Sequence, residues 1–207
     1  MALRGRSNVS TRMHPMETGL RFNFGGRKAR DSKLGVPVTI GVGNYTYNLG
    51  VLCIGLFEGN GSKEVMTVSL GNSYGDYDDY PLPDYCTFID MRHRDSRKFI
   101  EWLKTHGIAK QYMHTCADGS QIPVSKPLAG SGVEAPLYQF DRDVLRYYDP
   151  DGCKTYEEAY VMRRWMRRYL SNEDYARIYA SEREKYDAAH TGEPHPALNV
   201  TPGRNGL

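Results

Sequence analysis

Apolar and polar residues alternate along the first half of this chain, which is the pattern of half-buried β-strands. Residues 36–42, 51–57 and 64–70 are apolar runs separated by turns that contain Gly and Asn. In residues 64–70 the alternation predicts one buried and one solvated face. Together the three runs predict an antiparallel meander over residues 36–70.

A helix is predicted after one further short strand. Residues 86–90 (CTFID) form an apolar run, and Asp95 or Ser96 then stands where a helix N-cap is expected. The apolar positions of this helix fall on one face, namely Phe99, Ile100 and Leu103. Gly107 follows two basic residues and is placed to end the helix as its C′ residue.

Residues 111–134 are weakly patterned and contain several Gly and Pro. They predict a long loop with one poor strand at residues 121–124. Residues 135–140 (APLYQF) are typical of a closing strand, with Pro136 at its start, where a missing N–H group is tolerated.

The second half of the chain changes to helical periodicity. Residues 148–152 (YDPDG) predict a turn and a domain boundary, since two helical patterns follow without a strand between them. The first pattern places apolar residues on one helix face: Met162, Trp165, Met166 and Tyr169. The second begins at Ser171, with Asp174 three residues on, as an approximate capping box.

These patterns predict an α+β fold, with a small antiparallel sheet and one packed helix followed by a C-terminal helical hairpin. The expected organisation is a basic flexible arm (1–35), an α+β core domain (36–150), the helical hairpin (151–189) and a flexible tail (190–207). Within the arm, residues 19–26 alternate Leu20, Phe22 and Phe24 with polar residues, which is compatible with a short strand.

Charge is distributed unevenly, although the whole chain carries only +2. Residues 1–35 have eight Lys or Arg against two acids, residues 36–150 have ten against fourteen, and residues 151–207 have nine against nine. The basic N-terminal block is the composition of a solvated arm.

The N-terminus lacks the apolar core of a signal peptide, and no window approaches a membrane span. We therefore expect a cytoplasmic protein with no membrane partner. Four cysteines lie about thirty residues apart without a C-x-x-C pair: Cys53, Cys86, Cys116 and Cys153. This spacing favours reduced and mostly buried thiols over disulfides or a zinc site. We expect no metal, no cofactor and no small-molecule substrate.

A basic stripe on the first helix of the hairpin is one candidate binding site. It consists of Arg163, Arg164, Arg167 and Arg168, opposite the apolar face. Guanidinium groups in this arrangement suit the phosphates of a nucleic acid. The alternative is a solvated face that is neutralised by acids of the next helix: Glu173, Asp174, Glu182 and Glu184.

A loop rich in Tyr and Asp is the candidate protein-binding site. It spans residues 71–85 and interleaves two residue types: Tyr74, Asp76, Tyr77, Asp78, Asp79, Tyr80, Asp84 and Tyr85. Tyr is an interface residue and the carboxylates attract a basic partner. The order of ligands expected of a calcium loop is absent. An ordinary polar loop is the alternative.

A nucleophilic pair is the remaining chemical candidate. His114 and Cys116 would share one face of a strand, and His93 and His106 lie nearby in sequence. Proximity of this kind is unspecific, so a Cys/His-dependent enzyme stays a third hypothesis.

Three segments carry a resemblance to a known family: residues 80–90 (YPLPDYCTFID), residues 103–110 (LKTHGIAK) and residues 136–141 (PLYQFD). Over about residues 36–147 the chain resembles a family of small bacterial domains of unknown function, carried on conjugative and phage-like mobile elements. The basic arm, the 111–134 span and the helical hairpin depart from the family pattern.

The resemblance implies a biological context and no catalytic residues, since accessory proteins of mobile elements often antagonise host defence. We therefore predict a non-enzymatic binding protein that occludes a host protein or nucleoprotein complex, such as a CRISPR-type effector. The alternatives are a nucleic-acid-binding accessory protein that uses the basic arm and the Arg-rich helix, and the Cys/His enzyme.

Overall fold

The computed structural model describes residues 19–25, 35–45, 50–71, 74, 82–163 and 170–191. Contacts divide the chain into two compact units, Met1–Tyr160 and Val161–Leu207. Several predictions fall outside the described residues: those for the arm at 1–18 and 26–34, for Asp76, Tyr77, Asp78, Asp79 and Tyr80, for Arg164, Arg167 and Arg168, and for the tail at 192–207.

The strands of the described chain are β1 (Arg21–Phe22), β2 (Val36–Asn44), β3 (Leu52–Glu58), β4 (Lys63–Val65), β5 (Thr67–Val68), β6 (Cys86–Ile89), β7 (Ala109–Gln111), β8 (Met113–Thr115), β9 (Gln121–Pro123), β10 (Ser125–Leu128) and β11 (Val133–Phe140). The described helices are α1 (Ser96–Thr105), α2 (Arg142–Tyr148), α3 (Pro150–Met162) and α4 (Asn172–His190). This content confirms the predicted α+β class.

The first sheet has the order β1-β2-β3-β4, with every pair antiparallel. Alternate positions of its two central strands are fully buried in one core: Val38, Ile40 and Val42 on β2, and Leu52, Ile54 and Leu56 on β3. These β-branched and apolar residues suit a pleated surface that is covered by other elements. The predicted first two strands are therefore confirmed.

Residues 19–25 belong to this sheet and its core. Leu20, Phe22 and Phe24 are buried, and Phe22 pairs with Val36 on β2. The strand predicted from their alternation is confirmed, and the prediction of a flexible arm is wrong for these residues because three apolar side chains are removed from water. Gly35 has φ +72°, and a Cβ there would lie 2.8 Å from the Phe22 backbone, so this close approach requires glycine.

The predicted strand at residues 64–70 is divided between two sheets. The N–H group of Met66 donates to the Ile54 carbonyl of the first sheet, while its own carbonyl accepts from the N–H group of Asp90, next to the second sheet. Thr67 then pairs with Ile89 on β6. The prediction of one solvated face is also wrong at this point, since the neighbouring residues Met66 and Thr67, which were expected on opposite faces, are both buried.

The second sheet has the order β10-β11-β6-β5, and β7 also pairs with β11. It separates two cores, because alternate residues of each strand face opposite ways. Ile89, Tyr138 and Phe140 join the first core, whereas the second core contains Val51, Leu82, Cys86, Phe88, Val124, Leu128, Ala135 and Leu137. The single small sheet that was predicted is thus replaced by two larger sheets and a hairpin of two strands, β8 and β9.

The span at 111–134 is more ordered than its sequence indicates. The poor strand near residues 121–124 is confirmed as β9, while the strands β7, β8 and β10 were missed. Pro136 lies inside β11 and not at its start, opposite Ser125 of β10. Pairing of β11 with β6 begins one residue later, at Leu137. The N–H group that Pro136 lacks therefore removes no described hydrogen bond between β11 and β6.

Helix α1 has the predicted ends. Asp95 is its N-cap residue, His106 its C-cap residue, and Gly107 follows with φ +64°. Phe99 and Leu103 are buried in the first core as predicted, and Ile100 is half-buried against it. Trp102, which was not part of the predicted face, is buried there too. Helix α2 was not predicted.

The predicted turn at residues 148–152 is instead the junction of two helices, and the first unit continues to Tyr160. Asp149 is buried, and its carboxylate accepts hydrogen bonds from the N–H groups of Val42 (2.8 Å) and Gly152 (3.0 Å). Burial raises the pKa of Asp149, and the two donors act in the opposite direction. A side chain at Gly152 would clash with the Val42 carbonyl and with Asp149, so glycine is needed for the close approach of α3 to β2. Pro150 lies in the first turn of α3, where a missing N–H group is tolerated.

In the second unit, α4 begins as predicted. Ser171 is the N-cap residue, and its Oγ accepts a hydrogen bond of 3.1 Å from the N–H group of Asp174. Met162 is buried, as its place on the apolar face predicts. Trp165, Met166 and Tyr169 of that face lie outside the described residues.

Candidate protein-binding surface

The β8–β9 hairpin is the most exposed structure of the second sheet region. In the described chain its two strands pair with each other and with no other strand. At its base Tyr112 and Val124 join it to β11, because the N–H group of Tyr112 donates to the Leu137 carbonyl and the N–H group of Leu137 donates to the Val124 carbonyl. The hairpin therefore leaves the sheet just beyond the second core.

The tip of the hairpin is a tight turn. The N–H group of Cys116 donates to the Ser120 carbonyl at 2.8 Å, and the Asp118 carboxylate accepts from the Ser120 N–H group at 2.9 Å. Gly119 has φ +83°, a left-handed conformation that glycine adopts without strain. Asp-Gly turn chemistry at 118–119 was present in the sequence and would have revealed the hairpin.

One face of the hairpin is aromatic and apolar. Ile122 and His114 share it because they stand directly opposite each other in β9 and β8. Tyr112, which immediately precedes β8, lies on the same side as His114, since the ring of Tyr74 contacts both. Ile122 is 49% exposed, a large fraction for a β-branched apolar residue.

Tyr74 connects the Tyr/Asp loop to this face. Its ring lies 5.5 Å from the Tyr112 ring and 5.9 Å from the His114 ring, and its hydroxyl lies 3.2 Å from His114 Nδ1. Partial burial raises the pKa of Tyr74 to about 12, helped by a hydrogen bond with Tyr112, so the hydroxyl is protonated near neutral pH. Tyr74, Tyr112, His114 and Ile122 form what is called below the hairpin surface.

The two segments that meet at Tyr74 carry charge of one sign. Residues 71–85 contain four Asp and no Lys or Arg, and residues 111–125 contain Asp118 and no Lys or Arg. A sequence segment rich in Asp that is linked through Tyr74 to an aromatic and apolar face suits a partner surface that is basic and partly apolar.

The other end of the Tyr/Asp loop is anchored in the protein interior. Tyr85 is buried, its N–H group lies 3.0 Å from the Tyr156 hydroxyl, and its own hydroxyl donates to Glu157 at 2.7 Å. Asp84 is half-buried and accepts a hydrogen bond from Tyr156. Tyr85 was predicted to contact a partner; this is wrong, because its ring and hydroxyl are both used in packing the first unit.

Glu157 is the centre of this buried polar cluster. Its carboxylate accepts from Arg146 Nη2 at 2.6 and 2.8 Å and lies 3.4 Å from Arg142 Nε. The cluster joins α2, α3 and the residues before β6. Sequence reasoning missed it, although Arg142, Arg146 and Glu157 occur at spacings that place them on adjoining helices.

No protein-family model, curated protein or solved structure matches this chain. None of the described helices is long and apolar enough to cross a membrane. Among the described residues, no group of three or more His, Cys, Asp or Glu is placed to hold a metal ion.

Of the four arginines of the predicted stripe, Arg163 lies among the described residues and the other three lie outside them. Arg163 is half-buried at the end of α3. Two of the acids that were expected to neutralise the stripe make ion pairs inside α4: Asp174 with Arg177 at 2.7 Å and Glu182 with Lys185 at 2.7 Å. The described geometry therefore adds no support to a phosphate-binding role for this helix.

The four cysteines are free, and three are buried: Cys53, Cys86 and Cys153. Burial raises the pKa of all three thiols, that of Cys153 to about 12. Cys116 is half-buried on the hairpin, and within the described chain its thiol makes no hydrogen bond, while His114 contacts Tyr74. The Cys/His pair that was considered is therefore not assembled in this structure.

Thiol titration checks this arrangement. With 5,5′-dithiobis(2-nitrobenzoate) near pH 8, we expect one fast-reacting thiol in the folded protein and four after denaturation, because the thiolate is the nucleophile and the buried thiols stay protonated. Cys116→Ser should remove the fast phase, while Cys53→Ser should leave it intact. Two or more fast thiols in the folded state would contradict the burial of the other three.

Proposed function

We propose that this protein is a non-enzymatic binding protein that occludes a basic surface of another protein or nucleoprotein complex with its hairpin surface. The observation that carries the proposal is the packing of Tyr74 on Tyr112 and His114. This packing places one tyrosine of the Tyr/Asp loop on the face of the β8–β9 hairpin.

The physical properties of this surface support binding to a protein. Half-exposed aromatic rings and Ile122 offer apolar area whose burial is favourable, at about 25 cal/mol per Å². Aromatic residues in such positions are frequent binding hot spots. The five aspartates of the two segments accelerate encounter with a basic partner through long-range attraction.

The class of partner follows from the sequence resemblance to domains of mobile elements. A protein of such an element that blocks a basic surface has an obvious target in host defence complexes of the CRISPR type, whose nucleic-acid-binding channels are positively charged. We propose this target class, with an action that depends on occlusion and not on chemistry.

Site-specific photo-crosslinking in the native host tests the location and the partner together. A photoreactive phenylalanine analogue at position 122 should crosslink to a basic protein, which mass spectrometry then identifies. The matched control is position 133, since Val133 is also exposed, at 37%, but lies on the β10–β11 hairpin. Equal crosslinking at both positions, or none at 122, would place the interface elsewhere.

Binding kinetics with the purified partner then separate two contributions. Replacing Asp76, Asp78 and Asp79 with Asn should slow association about tenfold and weaken its salt dependence. Ile122→Ser or Tyr74→Ala should accelerate dissociation about 5- to 30-fold, and Val133→Ser should change it less than about twofold. If the three loop and hairpin variants all behave like Val133→Ser, the hairpin surface is ordinary protein surface.

A further inference from the structure

A second charged surface, of opposite sign, lies where the chain enters α1. Four of the seven residues from 92 to 98 are basic and exposed: Arg92, Arg94, Arg97 and Lys98. We call these four residues the basic turn. They were not among the residues assigned to nucleic-acid binding from the sequence.

Nearby carboxylates neutralise the basic turn only in part. Asp90 binds Arg92 through both of its oxygens, at 2.9 and 2.8 Å, and this contact lowers the pKa of Asp90. Asp95 is buried and accepts a hydrogen bond from the Gly25 N–H group, and it lies 3.6 Å from Arg94 and 3.7 Å from Lys98. These two distances are longer than those of strong charge-assisted hydrogen bonds.

Arg97 forms no ion pair with any described residue, and one buried carboxylate faces Arg94 and Lys98 together. The position of these cations at the start of α1 also lowers the stability of the isolated protein. The first turn of α1 contains no acid, so its cations stand at the positive end of the helix dipole. An arrangement that opposes local stability in this way is expected where an anionic partner compensates it.

The backbone that carries these cations is held in place. Ser96 Oγ lies within hydrogen-bonding distance of the carbonyls of Asp90 and His93, so its one proton can bond either, and His93 Nδ1 accepts from the Asp95 N–H group at 3.2 Å. His93 Nε2 also lies 3.0 Å from the Glu64 carboxylate on β4. Since both Asp95 and Ser96 are buried, the turn is ordered before any partner binds, which lowers the entropic cost of binding.

We propose that the basic turn binds the phosphate backbone of a nucleic acid. Three of its four side chains are guanidinium groups, whose paired donors match two phosphate oxygens. From 92 to 98 every exposed side chain is Arg or Lys, so the patch offers charge with little apolar area. That composition suits phosphate contacts, which need no apolar burial, better than a protein interface, which does. The inference does not depend on the hairpin surface, although one nucleoprotein partner would satisfy both surfaces.

The test uses the full chain and a fluorescein-labelled DNA duplex of mixed sequence, followed by fluorescence anisotropy over a series of salt concentrations. The variant R94Q/R97Q/K98Q should bind at least tenfold more weakly. The slope of log affinity against log salt should fall by roughly two to three, at about 0.9 per lost phosphate contact. The control variant K154Q/R177Q/K185Q removes the same number of exposed charges from α3 and α4, and its slope should change by less than about one.

Melting temperatures by circular dichroism accompany both variants, and unchanged values show that folding is retained. Failure of the parent protein to bind the duplex would overturn the proposal. Equal losses in the two variants would also overturn it, because they would show a general charge effect. Polyglutamate that competes with the duplex at equal charge concentration would assign the basic turn to an acidic protein partner instead.

Discussion

Replacing Phe22 with alanine is expected to lower the free energy of unfolding by about 3–5 kcal/mol, the range for deleting a buried aromatic ring. Phe22 is 3% exposed, and its ring makes edge-to-face contacts with Phe24 at 4.7 Å, Phe99 at 6.2 Å and Trp102 at 5.8 Å. It therefore fixes β1 and α1 on the same core. Urea denaturation followed by tryptophan fluorescence measures the change.

Two comparisons make the Phe22 experiment specific. Asn23→Ala changes an exposed neighbour and should shift stability by less than about 0.5 kcal/mol. Deleting residues 1–18 should leave the melting temperature within a few degrees, because their composition offers little apolar surface to offset the entropy lost on ordering them. If Phe22→Ala is as mild as Asn23→Ala, the N-terminal strand is dispensable and residues 19–25 belong to the arm after all.

Replacing Glu157 with alanine is expected to cost about 3 kcal/mol of stability, since breaking a buried ion pair leaves its partners uncompensated. Glu157 is 2% exposed, and its loss would remove the acceptor of Arg146, Arg142 and the Tyr85 hydroxyl at once. Tyr85→Phe removes one of these hydrogen bonds and should cost about 1–1.5 kcal/mol.

Glu158 provides the matched control for Glu157. It is the next residue of the same helix and is half-buried, and no described residue pairs with it. Glu158→Ala should therefore change the unfolding free energy by less than about 0.5 kcal/mol. Similar costs for the two alanine variants would show that helix propensity, and not the polar cluster, sets the effect.

The Glu157 cluster also bears on the proposed binding function. Tyr85 and Asp84 hold one end of the Tyr/Asp loop against α3, and Tyr74 holds the other end against β8. The same carboxylate that stabilises the first unit thus holds Tyr85, the last residue of the Tyr/Asp loop.

Of the four residues of the hairpin surface, Tyr74 alone was assigned to protein binding from the sequence, and His114 was named only for a Cys/His pair. Tyr74 was singled out by its place among alternating Tyr and Asp, a pattern that depends on composition alone. Tyr112 and Ile122 were missed, because each is an isolated apolar residue in a span with no clear period. Tyr85 was assigned to the surface because a tyrosine in the sequence does not show whether its hydroxyl will find Glu157, which is 72 positions away.

Local chemistry determined the ends of helices and the central strands. Gly107 and Ser171 act within one turn of their own positions, so the end of α1 and the start of α4 follow from residue type and spacing. Asp95 stands at the N-cap of α1 as predicted, but its side chain makes no capping hydrogen bond there and accepts instead from the N–H group of Gly25. The alternation in β2 and β3 likewise needs no knowledge of the partner strand, because the period of two is a property of extended backbone itself.

Tertiary structure alone decided which elements share a sheet. The sequence predicts Met66 in the middle of one strand, yet its N–H group bonds to Ile54 of the first sheet and its carbonyl to Asp90, next to the second sheet. The sequence Asp149-Pro150-Asp151-Gly152 predicts a turn, yet the Asp149 carboxylate accepts a hydrogen bond from the N–H group of Val42, 107 positions earlier. Hydrogen bonds between distant segments are formed only when the chain has closed the intervening loops. Such contacts depend on the whole core, and no local pattern of residues encodes them.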